Sequence, residues 1–302
     1  MPEPQTILIT GASGLIGSAL TKAFEADGHK VVRAVREQVQ NPEQEIHWSP
    51  VLGEIDQQAL EGVDAVVHLA GANIAGKRWT ADYKRRILES RTQGTHLISD
   101  TIAKLECKPR VFLCASAIGY YGDRGSAELD ESSAPGDDFL SEVCLQWERA
   151  SQPAKDAGIR TVNTRIGVVL SPDGGALKSM LFPFKMGAGG VIGDGKQTMS
   201  WIALDDVVAA MQFLLTQDSI SGPVNLVSPQ PATNREFTKT LGKVLGRPTI
   251  LPMPAFAARL AFGEMADALL LSSTRVVPER LLAGGFSFKY PQLDKALEHL
   301  LN

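Results

Sequence analysis

Apolar residues along the chain fall into two kinds of segment. Short apolar runs, of the kind found in buried strands, lie at 6–10, 28–36, 63–71, 110–116 and 161–165. Stretches with helical spacing follow the first, third and fourth of these runs, at 18–24, 81–105 and 139–158. Strands that alternate with helices in this way predict an α/β fold of the Rossmann type, a doubly wound parallel sheet that binds ligands at the carboxyl ends of its strands.

The pattern changes after residue 165. Residues 171–200 are glycine-rich and irregular, a helical pattern returns at 203–215, and another strand follows at 224–227. Helical spacing prevails from residue 234 onward. We therefore predict two domains: a Rossmann domain at 1–170, to which 201–228 returns, and a smaller, mainly helical substrate lobe at 171–302.

The first strand ends in a turn that contains three glycines. Gly11, Gly14 and Gly17 have the G-x-x-G-x-x-G spacing of dinucleotide-binding turns, between a strand and a helix as such a site requires. The first glycine permits a tight turn, the second lets a pyrophosphate approach the backbone, and the third lets the helix pack closely on the sheet. Free N–H groups and the positive dipole end at the helix start hold the phosphates. The cofactor contacts predicted here are Gly11, Ser13, Gly14, Leu15, Ile16 and Gly17.

The end of the second strand predicts which dinucleotide binds. NAD-specific proteins place Asp or Glu there, about 20 residues after the glycines, to accept from the ribose 2′-hydroxyl. This chain has Val35 followed by Arg36, and an arginine suits a 2′-phosphate because its planar fork donates two charge-assisted bonds. Two alternatives are that Glu37 reaches a ribose, or that Arg36 is a solvated loop charge. We predict NADP(H) as the cofactor, so the domain at 1–170 is NADP-binding.

Composition narrows the class of protein. The 302 residues are 44% hydrophobic and 21% charged with a net charge of −4, which is ordinary for a globular protein and offers no basic surface for nucleic acid. The chain has no apolar run long enough to span a membrane and starts without a secretion signal, so we expect a cytoplasmic protein. The three cysteines and five histidines lack ligand spacing, so we expect neither disulfides nor a metal site.

Further motifs resemble one family over nearly the whole chain. Besides the glycine turn, they lie at 68–71, 77–79, 120–122, 138–140, 147–148, 165–169, 201–206 and 284–288. On these motifs the chain is similar to extended-type short-chain dehydrogenases/reductases. It resembles in particular their atypical epimerase-like subgroup, within the NAD-dependent epimerase/dehydratase superfamily. Some members of that subgroup are labelled cell-division inhibitors. The resemblance implies NADP binding and leaves the substrate unassigned.

The chain departs from the wider superfamily at its catalytic residues. Those enzymes use a Tyr and a Lys spaced Y-x-x-x-K on one helix and a Ser on the preceding strand; the Tyr exchanges a proton with the substrate as hydride moves. One register of the helix places Phe139 and Val143 at the Tyr and Lys positions, and the other places Leu140 and Cys144 there. The Ser position falls on Ala117. The standard triad is therefore absent.

Other residues near the expected nicotinamide are candidates for catalysis. Ser116 lies at the tip of the strand, and Tyr120 and Tyr121 lie just beyond it. The alternative for the tyrosines is a packing role with one satisfied hydroxyl. Carboxylates at the start of the next helix could act as a base or simply cap that helix: Asp137, Asp138 and Glu142.

The remaining cofactor contacts predicted are Leu69, Ala70 and Gly71 through their backbone, together with Arg86, Arg91 and Val169. The segment 91–95 resembles the N-V-x-G-T segment of extended members, with Arg91 in place of the asparagine that faces the active centre. Arg91 shares a helix face with Ile87, so its charge needs an anionic partner. That partner is a cofactor phosphate, an anionic substrate, or a structural carboxylate such as Glu148. We expect Lys84 and Arg85 on the wet side of the helix, and His68 to be a satisfied polar residue at a strand end.

Two functions remain open at this point. One is an NADP-dependent oxidoreductase or epimerase that acts on a small carbonyl or sugar-like substrate, either neutral or anionic. The other is a non-catalytic NADP(H)-binding redox sensor that signals through a partner. An enclosed polar pocket over the nicotinamide favours the enzyme, and an exposed apolar patch near the cofactor favours the sensor.

Overall fold

A computed structural model describes residues 3–301 of the chain. Its strands are β1 (Thr6–Thr10), β2 (Lys30–Val35), β3 (Glu45–Ser49), β4 (Glu54–Ile55), β5 (Ala65–His68), β6 (Val111–Ala117), β7 (Glu128–Leu129), β8 (Arg160–Ile166), β9 (Val168–Leu170), β10 (Thr198–Met199), β11 (Trp201–Ala203), β12 (Gly222–Leu226), β13 (Ala232–Thr233) and β14 (Arg275–Val276). Its helices are α1 (Leu15–Ala26), α2 (Ala81–Ala103), α3 (Phe139–Arg149), α4 (Gln152–Asp156), α5 (Gly175–Lys185), α6 (Leu204–Thr216), α7 (Asn234–Val244), α8 (Ala255–Phe262), α9 (Glu264–Ala266), α10 (Glu279–Ala283) and α11 (Leu293–Leu301). Short 3₁₀-helices lie at Gln58–Leu60 and Ile118–Tyr121, and a π-helical segment lies at Asp267–Leu271.

Eight strands form one large sheet in the order β12-β8-β6-β5-β1-β2-β3-β4. Seven of them run parallel, and the edge strand β4 is antiparallel to β3. The chain starts at β1 in the middle, moves outward through β2 and β3, and returns to build the other half from β5. Such a reversal opens a crevice at the carboxyl ends of the central strands. The predicted Rossmann-type fold with a smaller, mainly helical lobe is confirmed.

Apolar clusters cover both faces of this sheet. On one face, helices α1 and α6 pack over Ile7 and Ile9. On the opposite face, helices α2 and α4 pack over Leu8 and Val66. Successive residues of β1 therefore enter opposite layers, as expected for a strand that is buried on both sides. The glycine turn that follows β1 is thus held by a strand without any solvent-exposed side.

A third apolar cluster lies in the C-terminal part of the chain. Helices α5, α7 and α11 pack together around Trp201, Phe237 and Leu297. Strand β12 is the edge of the large sheet, and α6 belongs to the cluster over Ile7, so much of 201–228 packs with the Rossmann sheet. The division into domains at 170 and 171 stays a prediction.

The structure differs from the sequence prediction at the helix expected over 139–158. That segment forms two helices, since α3 ends at Arg149 and α4 starts at Gln152. Pro153 has no N–H with which to continue the first helix. The Ser151 hydroxyl lies between the two helices and is within hydrogen-bond distance of the Glu148 carbonyl (2.7 Å) and of Asn163 Oδ1 (3.2 Å). The break positions Glu148 at the end of α3, beside the strands β6 and β8.

Candidate functional site

The glycine turn after β1 has the close contacts that its spacing predicts. Gly11 adopts a φ of +71°, which favours glycine. A Cβ built on Gly11 would lie 3.0 Å from backbone atoms of Leu69 and Ala70. A Cβ on Gly17 would collide with the carbonyl of Gly11. The turn is closed by a hydrogen bond from the Gly14 N–H to the Gly11 carbonyl (2.9 Å). Two of the three glycines are therefore required by packing inside the protein.

Gly14 is different, because it is exposed and a Cβ there would meet only one atom. A Cβ built there would have a single neighbour within 4 Å, the Gly11 carbonyl oxygen at 3.2 Å. Ser13 and Gly14 are exposed, and Leu15 and Ile16 are half-buried. Within residues 3–301 no side chain caps the start of α1, so the N–H groups of its first turn are left for an external acceptor. This arrangement suits a phosphate group.

The loop after β5 lies directly beside this turn. Leu69 and Ala70 are half-buried, and Gly71 is exposed. On the other side of the turn, the Leu15 side chain lies 3.2 Å from a Cβ built on Gly174. Val169 is half-buried on β9, and its carbonyl oxygen is 3.7 Å from a Cβ built on Gly175, which follows Gly174. The structure thus brings the predicted contacts at 11–17, 69–71 and 169 to one edge of the sheet.

Arg36 follows β2 and is exposed. Over the described part of the chain, its side chain has no hydrogen bond or ion pair, whereas the preceding Arg33 is paired with Glu45 at 2.9 Å. Hydrogen bonds from the Gln40 and Asn41 backbone lower the pKa of Glu45 and fix the loop that carries Arg36. Arg36 thus lies with a free guanidinium, among the described residues, at the end of the strand where a ribose-binding residue is expected.

Arg91 lies under the loop after β5. Its Nη1 donates to the carbonyls of Ala72 (3.0 Å) and Ile87 (3.1 Å), and its guanidinium lies 3.3 Å from a Cβ built on Gly71. The guanidinium also lies over the ring of Trp147, at 4.9 Å from its centroid. Burial lowers the pKa of Arg91. The predicted structural alternative, a carboxylate partner such as Glu148, is wrong: within residues 3–301 Arg91 has no ion pair, and Glu148 is paired with Arg165.

Three other basic residues of α2 differ from Arg91 in position. Arg86 is exposed and lies five residues away, about 140° around the helix, so the structure does not bring it to the group around Gly71. Lys84 is half-buried rather than fully on the solvent-exposed face that the sequence predicts. Its Nζ bonds Glu264 at 2.6 Å and lies 4.4 Å from the centroid of the Phe139 ring. Arg85 is exposed and pairs with Asp82 within the helix.

The catalytic candidates at the end of β6 belong to a buried polar network. Arg165 of β8 donates from Nε and Nη2 to the two carboxylate oxygens of Glu148, at 2.8 and 2.9 Å. The Ser116 hydroxyl also donates to Glu148, at 2.8 Å. Arg165 Nη1 donates to the Tyr121 hydroxyl at 3.0 Å, and that hydroxyl donates to Asn225 at 2.7 Å. The network joins β6, α3, β8 and β12.

The three catalytic candidates, Ser116, Tyr120 and Tyr121, differ in how deeply they are buried. Ser116 is 2% exposed and Tyr121 is fully buried, and burial raises the pKa of Tyr121 to about 12. Tyr120 is half-buried, with its ring stacked on the Arg165 guanidinium at 3.4 Å. Although burial alone would lower it, the bonds to Glu148 raise the pKa of Arg165, which keeps this guanidinium charged. Tyr120 is the candidate whose side chain reaches solvent.

The inner face of α3 is apolar where the Tyr and Lys of the wider superfamily would stand. Leu140 lies 3.2 Å and the Cys144 sulfur 3.7 Å from a Cβ built on Gly119, next to Tyr120. Burial raises the pKa of Cys144 to about 12, so this thiol is a poor base. Asp138 caps α3 by accepting from the Ser141 N–H at 2.8 Å. Within residues 3–301, α3 offers no acid–base group toward Gly119.

Sequence reasoning missed the network around Arg165 and the contact between Thr10 and His68, whose oxygen and ring nitrogen are 2.7 Å apart. The signal for the first was a charged residue at the end of an apolar strand, since Arg165 can be buried only with a partner. No three His, Cys, Asp or Glu side chains among the described residues come together as metal ligands. None of the helices between residues 3 and 301 is both long and apolar enough to cross a membrane.

Comparison with known proteins places this site in a family. Residues 7–226 match the model of the NAD dependent epimerase/dehydratase family, and residues 253–300 match a domain of unknown function, DUF1731. Epimerase family protein Mb2239 of Mycobacterium bovis is 46% identical over 291 residues, 96% of each chain.

Solved structures give the same result. The crystal structure of human epimerase family protein SDR39U1 (isoform2) with NADPH is 36% identical, covers 98% of each chain and superimposes with a TM-score of 0.90. UDP-N-acetylglucosamine 4-epimerase from Bacillus cereus, at 18% identity and a TM-score of 0.76 over 98% of each chain, shares the fold. The resemblance to atypical short-chain dehydrogenases/reductases is confirmed. The chain belongs to the NAD dependent epimerase/dehydratase family.

Proposed function

We propose that the chain binds NADP(H) at the glycine turn and is an NADP-dependent oxidoreductase or epimerase-like protein. The observation that carries this proposal is the pairing of an open phosphate site with a free arginine. Gly14 is exposed at the uncapped start of α1, and Arg36 stands unpaired, within the described residues, at the end of β2. The 36% identical human relative crystallised with NADPH supports the same cofactor.

The choice of NADP over NAD rests on Arg36 and is tested directly. A 2′-phosphate adds a charge-assisted contact that the ribose of NADH lacks, so NADPH should bind more tightly than NADH by about 10-fold or more. Titration of the protein with each cofactor, followed by nucleotide fluorescence, gives the two affinities. Arg36→Ala should bring them together, and Arg85→Ala, which changes an exposed arginine paired with Asp82 within α2, should leave the ratio unchanged. Equal affinities in the parent protein would contradict the assignment.

For catalysis we propose Tyr120 as the proton donor to a small carbonyl or sugar-like substrate. Bound NADPH would supply the hydride. Tyr120 reaches solvent beside Gly119, and the Arg165 guanidinium under its ring fixes its orientation. Tyr121 and Ser116 are buried, which supports a role in holding Arg165 and Glu148 rather than in touching substrate. A screen of carbonyl compounds for NADPH oxidation tests this: Tyr120→Phe should lose turnover while binding NADPH like the parent.

A second candidate function is a non-catalytic NADP(H)-binding sensor. The observation that favours it is that α3 presents the apolar Leu140 and the buried thiol of Cys144 toward Gly119. The C-terminal lobe also exposes large apolar side chains. These side chains are Phe182, Met186, Ile250, Leu251, Phe256 and Leu260. The substrate screen separates the two functions, because a sensor binds NADPH without oxidising it in the presence of any carbonyl compound.

A further inference from the structure

Thr10 and His68 form a buried pair between the two central strands of the sheet. They are directly opposite each other in the register of β1 and β5, and both are fully buried. The Thr10 Oγ1 and His68 Nδ1 atoms are 2.7 Å apart. Each residue is the last of its strand, so Thr10 precedes the glycine turn and His68 precedes the loop at 69–71.

The Thr10 hydroxyl also contacts the backbone of that loop. It accepts from the N–H of Leu69 at 3.2 Å and from the N–H of Ala70 at 3.3 Å, and the Leu69 N–H is shared with the Thr10 carbonyl. The same Leu69–Ala70 backbone is the surface on which Gly11 packs. One hydroxyl therefore ties together the two backbone segments that flank the proposed cofactor site.

Counting protons decides how His68 takes part. A threonine hydroxyl has two acceptor lone pairs and one hydrogen, and the two amides occupy the lone pairs. Its hydrogen must then point to His68 Nδ1, which accepts it only if it carries no proton of its own. Burial lowers the pKa of His68 to about 3, so the ring is neutral, and an Nδ1 that accepts from Thr10 leaves its single proton on Nε2. Nε2 has no partner within residues 3–301, so Thr10 alone selects the tautomer.

We propose that His68, as the Nε2-protonated tautomer, is a positioning residue that orients the Thr10 hydroxyl and thereby holds the 69–71 loop in place to bind the cofactor. This inference rests on the proposed NADP(H) site. Without the acceptor on His68, the Thr10 hydrogen would have to turn toward the loop amides and lose one of them. The loop would then separate from Gly11.

Paired variants test the role through NADPH titration. Thr10→Val and His68→Leu remove the hydroxyl and the acceptor, and each should weaken NADPH binding by about 10-fold. Thr10→Ser keeps the hydroxyl, and His68→Asn places an amide oxygen near the position of Nδ1, so both should stay within about 3-fold of the parent. Cys114→Ala is the control, because Cys114 is buried opposite His68 on β6, away from Thr10. It should bind NADPH like the parent.

Two measurements on the protein without cofactor keep the inference testable even if NADPH fails to bind, an outcome that would overturn only the proposed function. Nitrogen-15 NMR of the parent should show His68 with a bare Nδ1 and a protonated Nε2. Amide exchange at Leu69 and Ala70 should be faster in Thr10→Val and His68→Leu than in Cys114→Ala. A protonated Nδ1 would overturn the inference, as would Thr10→Val with parental exchange at both amides.

Discussion

At the scale of single residues, the three glycines of the turn after β1 have distinct constraints. A side chain on Gly17 would collide with the Gly11 carbonyl. A side chain on Gly11 would be strained by the positive φ of that residue, so the turn needs glycine at both positions. Gly14 is less constrained, since its φ is −76° and a Cβ there would meet a single oxygen, at 3.2 Å. We expect the main constraint on Gly14 to be a ligand that approaches this backbone.

This difference predicts opposite outcomes for two substitutions. Gly14→Val should leave the melting temperature without cofactor close to that of the parent and abolish the stabilisation by NADPH, because the side chain fills the approach of the pyrophosphate. Gly17→Val should lower the melting temperature itself, since α1 can no longer pack against the turn. Thermal melts with and without NADPH measure both. Stabilisation of Gly14→Val equal to that of the parent would mean that the phosphates bind elsewhere.

At the scale of elements, the network around Arg165 joins the ends of β6, α3, β8 and β12. Arg165 is 3% exposed, so removing its carboxylate partner leaves a buried charge without compensation. Glu148→Ala should therefore lower the free energy of unfolding by roughly 3–5 kcal/mol. Ser116→Ala removes a single neutral-to-charged hydrogen bond and should lower it by about 1–3 kcal/mol. Urea unfolding compares the two, and a smaller loss for Glu148→Ala than for Ser116→Ala would contradict the buried ion pair.

The same scale shows how far the sequence could predict this fold. The parallel strands and long helices follow from apolar periodicity, and the glycine turn from its spacing. Strand β3 was not predicted, although Ile46 and Trp48 alternate with polar residues, because five residues between loops carry too short a period. The contacts of Lys84 could not be predicted either, since its partner Glu264 lies 180 residues away in the chain. Periodicity reports burial along an element, whereas the partner of a charge depends on packing between elements.

At the scale of the whole molecule, one apolar cluster connects the Rossmann part to the C-terminal lobe. Trp79 stands in the loop before α2, and its cluster includes Leu140 of α3 together with Met265 and Leu269 from the C-terminal lobe. Its ring meets Phe139 edge-on at 5.3 Å, and its Nε1 donates to the Ile74 carbonyl at 2.8 Å. The ion pair between Lys84 and Glu264 lies at the rim of the same contact.

The Trp79 cluster is buried and the Lys84–Glu264 ion pair is partly exposed, so we expect the cluster to contribute more to the contact with the lobe. Trp79 is 9% exposed, so Trp79→Ala should lower the free energy of unfolding by roughly 3–5 kcal/mol. It should also raise the rate of amide exchange across 263–271. Lys84→Ala breaks a pair with side chains 28% and 52% exposed, and should change stability by less than about 1 kcal/mol, with little effect on exchange there. Hydrogen exchange with mass spectrometry follows 263–271 and, as an internal reference, β1. If Trp79→Ala leaves the protection of 263–271 unchanged, contacts other than this cluster hold the lobe. If Lys84→Ala releases 263–271 as strongly as Trp79→Ala, the ion pair rather than apolar burial joins the two parts.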